Sequence, residues 1–252
     1  MTSDRVALVT GASSGIGQAA AIELARRGYQ VAAHYFCNEQ GIQETCAAVR
    51  ALNAGGRAGF YSCDVSDPAQ ARRMADEVLA DFGRVDVLVN NAGSLVERRP
   101  FVEMDLDLWR RVMALNLDSV FFVTHALLPQ MIRRHSGIIV NVASIAGRHG
   151  GGPGASAYAT AKGAVITLTK ALAKELVGEG IRVNAVNPGV IATPFHERFS
   201  TPAMREKFVA AIPAQRMGTA EETGRVIAFL ASDDASYLIG ECIEVNGGLL
   251  MD

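Results

Sequence analysis

The sequence lacks an excess of charge of either sign and lacks long apolar runs. Its formal net charge is −2 over 252 residues, and its pI is about 6.2, so it shows no electrostatic footprint for nucleic acid. No uninterrupted apolar run approaches the roughly 20 residues that a membrane-spanning helix requires. We therefore expect neither nucleic acid nor a membrane as a partner.

Paired cysteines are also missing. The four cysteines, Cys37, Cys46, Cys63 and Cys242, form no C-x-x-C pair, which is typical of free thiols in a reducing compartment and gives no sign of a metal site. Residues 1–5 lead directly into a strand-like run at 6–9, which leaves no room for a signal peptide. We therefore expect a cytoplasmic protein without a bound metal.

Strand patterns alternate with helical patterns along the whole chain. Aliphatic and β-branched runs lie near residues 6, 31, 58, 86, 139, 183 and 243, and helical periodicity separates most neighbours. No linker, repeat or low-complexity segment interrupts them. The pattern predicts one domain over 1–252, a doubly wound parallel sheet of seven strands of the Rossmann type with helices on both faces.

A glycine-rich turn and a helix follow the first strand. The turn reads T-G-A-S-S-G-I-G over 10–17, and helical periodicity extends from Gln18 to Arg27. The three glycines allow a sharp turn and close approach to a ligand, and the helix N-terminus offers free N–H groups to a pyrophosphate. A purely structural turn would also fit three glycines, but the strand before and the helix after favour dinucleotide binding.

The end of the second strand bears on the choice of cofactor. It reads His34-Tyr35-Phe36-Cys37-Asn38. It has neither the acid that binds the ribose hydroxyls of NAD nor an Arg that accepts the 2′-phosphate of NADP. Because the excluding acid is missing, we expect NADP(H) rather than NAD(H).

Polar residues lie at or near the ends of other predicted elements. Asp64 either accepts a hydrogen bond from an adenine amine or serves as a loop carboxylate before the next helix. The small residues of N-N-A-G at 90–93 suit close approach of a flat ligand. A long helix is predicted over 106–134, with a bend near Pro129. Asn116 lies in the middle of this helix. Its side-chain amide needs hydrogen-bond partners, and an amide that finds them within the core would explain it.

Tyr158 and Lys162 are four residues apart in a helical pattern that extends to Leu176, so they share one helical face. An ammonium group nearby favours the phenolate and lowers the pKa of a tyrosine. The pair is therefore a candidate general acid/base for a proton on oxygen. A tyrosine that only packs on a lysine stem would give the same spacing.

The segment over 190–213 breaks the alternation with three prolines and predicts a lid or substrate loop. Its apolar residues include Phe195, Phe199, Met204 and Phe208. A glycine-rich loop over 147–154 precedes the Tyr158 helix. The polar residues near these segments, which would either meet a polar or anionic group or remain solvated, are Arg148, His149, His196 and Arg198.

Together these motifs resemble the short-chain dehydrogenase/reductase family along essentially the whole chain. The resemblance rests on T-G-A-S-S-G-I-G at 10–17, N-N-A-G at 90–93, Asn116, Ser144, Y-A-T-A-K at 158–162 and N-P-G at 187–189, in that order. It implies hydride transfer between NAD(P)(H) and a secondary alcohol/ketone pair. It is strongest to members called 3-oxoacyl-carrier-protein reductases and to sugar (glucose-type) dehydrogenases, and both substrate classes stay open.

The resemblance implies a catalytic set of Asn116, Ser144, Tyr158 and Lys162. Tyr158 would exchange a proton with the substrate oxygen, and Lys162 would lower the pKa of Tyr158 and bond the nicotinamide ribose. Ser144 would polarise the carbonyl, and Asn116 would anchor a water chain from Lys162 to solvent.

The resemblance also implies the cofactor contacts. The glycine turn would hold the pyrophosphate, Asp64 and Val65 the adenine, Asn91 the adenosine ribose side, and Thr193 the carboxamide. The full set assigned to the cofactor is Gly11, Ser13, Ser14, Gly15, Ile16, Gly17, Tyr35, Asp64, Val65, Asn91, Ala92, Gly93, Tyr158, Lys162, Pro188, Gly189, Ile191 and Thr193.

Two further expectations concern function class and assembly. A catalytically idle dinucleotide-binding sensor or regulator is the alternative to an enzyme, although binding alone does not require all four catalytic residues. The resemblance implies a homotetramer, or a homodimer, through the helices near 106–134 and 156–178 and the C-terminal strand. The candidate interface residues, which would otherwise face their own sheet, are Val120, Phe121, Phe122, Val165, Leu168 and Leu172.

Overall fold

The computed structural model describes residues 4–52 and 57–251. Strands and helices alternate through its first half. The elements there are β1 (Val6–Val9), α1 (Gly15–Arg26), β2 (Gln30–Tyr35), α2 (Glu39–Leu52), β3 (Ala58–Ser62), α3 (Pro68–Phe82), β4 (Val87–Asn90), α4 (Leu106–Met113) and α5 (Ser119–Arg133).

Shorter helices interrupt the alternation in the second half. The elements are β5 (Gly137–Val142), α6 (Ala146–His149), α7 (Ser156–Leu176), β6 (Ile181–Pro188), β7 (Ile191–Ala192), α8 (Pro194–Phe199), α9 (Pro202–Ala211), β8 (Gly218–Thr219), α10 (Ala220–Leu230) and β9 (Cys242–Val245).

The main sheet has seven strands in the order β3-β2-β1-β4-β5-β6-β9. Every pair is parallel, from Val6 opposite Gln30 at β1–β2 to Val186 opposite Ile243 at β6–β9. Buried aliphatic residues form these strands because both faces are covered by helices. The predicted doubly wound parallel sheet is confirmed, and it has its seven strands where the hydrophobic runs indicated.

Alternate strand residues pack into two separate cores. Ala7 and Val9 face the layer formed by α1, α2 and α10. Leu8, between them in sequence, faces the layer formed by α3, α5 and α7. This alternation is expected because successive side chains of a strand point to opposite faces.

The long helix predicted over 106–134 is continuous but not uniform. A π-helical segment at Ala114–Asp118 separates α4 from α5, and Pro129 lies inside α5, which continues to Arg133. The irregularity therefore lies at Asn116 rather than at the proline. Leu106–Arg133 also has the length and hydropathy of a membrane span, but Leu127 and Met131 are fully buried against the sheet.

The expected loop and lid contain helices of their own. The segment over 147–154 begins within the short helix α6, and the segment over 190–213 holds α8 and α9, each with a proline in its first turn. The two-residue strands β7 and β8 pair beside them. Proline at these first-turn positions is tolerated because it lacks only an N–H that would be unpaired anyway.

Candidate active site

The carboxyl ends of the strands open into a cavity of about 750 Å³. It lies where the strand order reverses, between β1 and β4, which is where open α/β sheets bind ligands. We call the side that follows β1, β2 and β3 the cofactor half, lined by Gly11, Ser13, Ser14, Gly15, Ile16, His34, Phe36, Asn38, Asp64 and Val65. We call the opposite side the substrate half, lined by Leu95, Arg98, Ser144, His149, Tyr158, Phe195, His196, Arg198 and Phe208.

Glycine is required at three positions of the turn between β1 and α1. Gly11 and Gly15 have φ of +66° and +55°, a region that side chains disfavour. A Cβ on Gly17 would lie 2.2 Å from the carbonyl oxygen of Gly11. Ser14 begins α1 without capping it through its side chain, so the first-turn N–H groups remain available to a pyrophosphate.

His34 fixes the glycine turn, a role that its position at the end of a strand did not suggest. Its Nδ1 accepts the N–H of Gly11 at 3.1 Å, and its Nε2 lies 3.1 Å from the carbonyl of Cys63. Because Nδ1 accepts, Nε2 carries the proton and donates to Cys63. Burial lowers the pKa of His34, so the ring stays neutral and joins β1, β2 and β3 at their carboxyl ends.

Asn91 ties the glycine turn to β4. Its Nδ2 donates to the carbonyls of Thr10 at 2.9 Å and Gly11 at 3.1 Å, while its backbone N–H donates to the Thr10 hydroxyl at 2.9 Å. The side chain therefore holds the two central strand ends together where the cavity opens. Its predicted contact with the adenosine ribose stays a prediction.

Asp64 fits both interpretations that the sequence left open. Asp67, not Asp64, caps α3, and its side chain accepts the N–H groups of Ala69 and Gln70. Asp64 lines the cavity, and its Oδ1 accepts hydrogen bonds from the backbone and hydroxyl of Ser66. Asp64 therefore lines the cavity and also serves as a loop carboxylate, and its predicted contact with an adenine amine stays a prediction.

Most of the predicted cofactor residues line the cavity, but two do not. Gly17 contributes the close approach at the turn instead of a surface, and Tyr35 packs against the core beneath α1 and α2. The predicted residues that do line the cavity are Gly11, Ser13, Ser14, Gly15, Ile16, Asp64, Val65, Asn91, Ala92, Gly93, Tyr158, Lys162, Pro188, Gly189, Ile191 and Thr193.

Tyr158 and Ser144 meet on the wall of the cavity. Ser144 follows the carboxyl end of β5 and is 8% exposed, and its Oγ accepts the N–H of Ala146 at 3.1 Å. Burial raises the pKa of Tyr158 to about 12, and hydrogen bonding with Ser144 opposes that shift. At neutral pH the phenol is therefore protonated and able to donate to a substrate oxygen.

Lys162 is buried beside Tyr158 and is 3% exposed. Its Nζ lies 5.8 Å from the centroid of the Tyr158 ring and donates to the carbonyl of Val142 at 2.7 Å. Burial lowers the pKa of Lys162 to about 8. The resemblance implied that Lys162 lowers the pKa of Tyr158; the phenol pKa is instead raised, because burial of Tyr158 disfavours the charged phenolate.

Asn116 lies in the π-helical segment, is fully buried and does not line the cavity. Its Nδ2 donates to the carbonyls of Ser94 at 2.7 Å and Val112 at 2.8 Å, and its Oδ1 accepts the N–H of Ser94. A Cβ on Gly93 would lie 2.7 Å from that oxygen and 3.2 Å from Lys162 Nζ. The amide is satisfied as a core amide, and its place in a water chain stays a prediction.

The aromatic side chains of α8 form a series of ring contacts that extends to Tyr158. The ring of Phe195 lies 5.6 Å from that of Tyr158 and 5.2 Å from that of Phe199, and His196 lies 6.0 Å from Phe208. Phe195 and Phe208 line the cavity, whereas Phe199 and Met204 line a separate smaller pocket. The substrate half is therefore apolar around Tyr158.

Three of the four polar residues near the lid and loop line the substrate half: His149, His196 and Arg198. Arg148 instead pairs with Glu244 at 2.9 Å. Burial, with smaller effects from Arg98 and Arg205, lowers the pKa of His196 to about 4. Arg98 itself lines the cavity, and nothing in the local sequence singled it out, because its partners are distant along the chain.

Comparison with known proteins matches these features to one group. Residues 11–250 match a family model described as Enoyl-(Acyl carrier protein) reductase. The chain is 41% identical to the 3-oxoacyl-(acyl-carrier-protein) reductase FabG of Thermotoga maritima over 98% of both chains. It is 39% identical to the FabG of Escherichia coli K12 over 98% of both chains.

A solved structure agrees with the sequence relatives. The fold superimposes on the crystal structure of levodione reductase with a TM-score of 0.93 and 35% identity, covering 98% of both chains. The three named proteins are reductases of carbonyl compounds by name, whereas the family description names an enoyl reductase. The comparisons therefore agree on family and leave the reduced bond to be argued from the site.

Proposed function

The chain belongs to the short-chain dehydrogenase/reductase family and is an NAD(P)-dependent oxidoreductase of alcohol/ketone pairs, and we propose that it works mainly as a ketone reductase. The observation that carries the proposal is the pairing of Tyr158 with Ser144 on the wall of the cavity, beside the apolar side chain of Phe195. A ketone accepts hydride on carbon and needs a proton on oxygen, which the Tyr158 phenol supplies while Ser144 bonds the same oxygen. The alternative of a catalytically idle sensor gains no support from these relatives.

The proposed roles follow the geometry of the site. Tyr158 donates the proton, Ser144 holds the carbonyl oxygen, and Lys162 keeps a positive charge beside the phenol and bonds the cofactor ribose. The glycine turn holds the pyrophosphate. The nicotinamide supplies the hydride when bound, and the protein supplies position and charge. Asn116 holds the turn after β4 against this group and would anchor a water chain.

We propose NADP(H) as the cofactor. The only carboxylate among the described residues that line the cofactor half is Asp64, and one of its oxygens already accepts two hydrogen bonds from Ser66. The residues after β2 that line the cavity are Phe36, Cys37 and Asn38. No acid there would repel a 2′-phosphate or claim the free ribose hydroxyl of NAD.

We propose 3-oxoacyl thioesters as the first substrate class. The apolar surface of Phe195 and Phe208 beside Tyr158 suits an acyl chain better than a sugar, and the FabG relatives are named for this reaction. The protein forms a single domain, and the segment over 190–213 acts as its lid. In the reduction of an enoyl double bond, hydride goes to a carbon that bears no oxygen. In the reduction of a ketone, the oxygen on the reacting carbon becomes negative, and a Tyr–Ser pair can bond it.

A cytoplasmic homotetramer is the proposed form of the enzyme. Phe121, 53% exposed on α5, stacks its ring near Phe122 and His125 and suits a helix interface. Val120 and Val165 are buried in their own protomer, so they lie outside that proposed interface. The cysteines of the described chain are free thiols, as expected of a reducing compartment.

The test is a steady-state assay with NADPH and NADH against the N-acetylcysteamine thioester of 3-oxobutanoate and against glucose. We expect NADPH to be preferred at least about tenfold, or about 1.4 kcal/mol, and the thioester to be reduced. Preference for NADH, or oxidation of glucose without reduction of the thioester, would contradict the proposal.

A further inference from the structure

The segment between β4 and α4 contains a strained turn at the edge of the substrate half. Val96 has a φ of +62°, and the N–H of Glu97 donates to the carbonyl of Leu95 at 2.7 Å across it. This is a γ-turn of the rare, strained kind. A β-branched residue in this region is strained, and such strain tends to persist where a site needs it.

The turn sets the direction of Arg98. Its Nε donates to the carbonyl of Phe199 at the end of α8, at 3.2 Å, and its Nη1 donates to the carbonyl of Pro153 at 2.6 Å. A Cβ on Gly154, whose φ is +75°, would lie 2.7 Å from the Arg98 Cγ. The side chain therefore crosses between the lid and the glycine-rich loop, at the wall of the substrate half.

Arg98 has no anionic partner within the described part of the chain. Burial alone lowers its pKa, with no carboxylate to oppose the shift. The two carbonyl bonds engage two of the five N–H groups of a guanidinium. A partly buried cation that lines a cavity and lacks a counter-charge is completed by an anionic ligand.

The surrounding charges favour such a ligand. The titratable side chains that line the substrate half besides Tyr158 are Arg98, His149, His196 and Arg198, and Asp64 of the cofactor half is the only acid among the described lining residues. Burial lowers the pKa of His196 most, and the positive charges of Arg98 and Arg205 lower it further. A field that disfavours a cation there favours an anion.

We propose that the substrate carries a carboxylate or phosphate group that binds Arg98 while its ketone lies at Tyr158. Leu95 and Phe195, which also line the cavity, would contact the carbon chain. The planar fork of a guanidinium matches both kinds of anion. This inference rests on the proposed ketone reduction and narrows its substrate class, since neither sugars nor neutral ketones satisfy Arg98.

The test compares matched charged and neutral substrates. Keto acids of increasing length, from acetoacetate upward, are each assayed against their methyl esters, and the CoA thioester of 3-oxobutanoate is assayed against its N-acetylcysteamine thioester. The readout is the ratio of kcat/KM within each pair, for wild type, Arg98→Gln and Arg98→Lys. The control is Arg99→Gln, since Arg99 pairs with Glu97 and Asp105.

We expect Arg98→Gln to lower the charged-to-neutral ratio about 10- to 100-fold, the range of a charge-assisted hydrogen bond. Arg98→Lys should retain part of the ratio, and Arg99→Gln should leave it unchanged. A change confined to the keto acids identifies a carboxylate, and one confined to the CoA pair identifies a phosphate. A loss of lid contact alone would change both members of a pair equally, leave the ratio unchanged and overturn the inference.

Calorimetric binding of the same compounds to the protein with NADP⁺ separates this inference from the proposed function. If the anionic compounds bind, and Arg98→Gln weakens their binding at least about tenfold, the anion site stands even without turnover. If the ketones are reduced but no pair shows a preference that depends on Arg98, the reductase stands and the anion site is wrong.

Discussion

The two halves of the cavity are built in different ways. The cofactor half is formed by backbone and small residues at strand ends, held by Asn91 and His34 across β1, β2, β3 and β4. The substrate half is formed by long side chains on α8 and on the segment after β4, whose contacts span up to 101 residues of sequence. The sheet determines the structure of the cofactor half. Packing of α8 and of the segment after β4 determines the structure of the substrate half.

This difference follows from what each half would bind. A dinucleotide requires free N–H groups and space, so the cofactor half tolerates little beyond glycine at the turn. Substrate selection requires particular side chains, and loops on a rigid scaffold supply them. Tyr158 of the substrate half and Lys162 beside it are also among the residues predicted to contact the cofactor, and both lie on α7, which packs on the sheet.

Tyr158→Phe is expected to have the largest effect, and it separates the halves. Removal of the hydroxyl should lower kcat for ketone reduction about 10²- to 10⁴-fold, while NADPH binding, followed by nicotinamide fluorescence, should remain. Tyr237→Phe is the control, because that side chain is 98% exposed. Turnover near the wild-type rate would show that Tyr158 is not the proton donor.

Gly17→Ala should damage the cofactor half alone. The added Cβ would lie 2.2 Å from the Gly11 carbonyl and 2.4 Å from Asn91 Nδ2, so the turn must shift. Overpacking of this kind costs about 1–3 kcal/mol, and we expect NADPH affinity to fall by about 5- to 100-fold. The matched control is Gly178→Ala, because no atom lies within 4 Å of its Cβ. Unchanged affinity would contradict the assignment of the turn.

The pH dependence of ketone reduction should report the ionisation of Lys162, which lies beside Tyr158. Because the pKa of Lys162 is about 8 and that of Tyr158 about 12, kcat/KM of reduction should be level below pH 8. Above it the rate should fall toward tenfold per pH unit. A profile that stays level to pH 10 would show that the Lys162 charge is not needed.

Over the same pH range the stability of the protein should change in the opposite direction to the reduction rate. The folded pKa of Lys162 lies below its unfolded value, so the unfolded chain binds more protons between pH 8 and 10.5, and the free energy of unfolding should rise there with pH. Chemical denaturation of wild type and Lys162→Met measures this. The wild-type value should gain on the variant as pH rises, and a constant difference would contradict the buried charge.

Most residues that line the cofactor half could be singled out from the sequence because their signals are local. Glycine spacing at 10–17, aliphatic strands and the N-N-A-G run at 90–93 each depend on neighbours in the chain, and the parallel sheet then brings them together. The role of His34 could not be seen, because its hydrogen bond to Gly11 joins residues 23 positions apart. A histidine at a strand end looks the same whether or not it has that partner.

Parts of the substrate half, and the packing behind it, could not be predicted, for physical reasons. The π-helical segment accompanies hydrogen bonds between Asn116 and Ser94, 22 residues apart, which helix periodicity does not reveal. The raised pKa of Tyr158 comes from burial, a property of the folded site and not of the Y-x-x-x-K spacing. Arg98 reads as one of two adjacent arginines until Phe199 and Pro153 are placed beside it.

The most direct measurement follows the hydride itself. NADPH carrying deuterium at the transferred position of the nicotinamide is incubated with wild-type protein and the N-acetylcysteamine thioester of 3-oxobutanoate, and the product is analysed by mass spectrometry. If the two halves cooperate as described, the 3-hydroxy product carries one deuterium on its carbinol carbon. A product without deuterium at that carbon, or consumption of NADPH without the alcohol, would contradict hydride transfer to a ketone in this cavity.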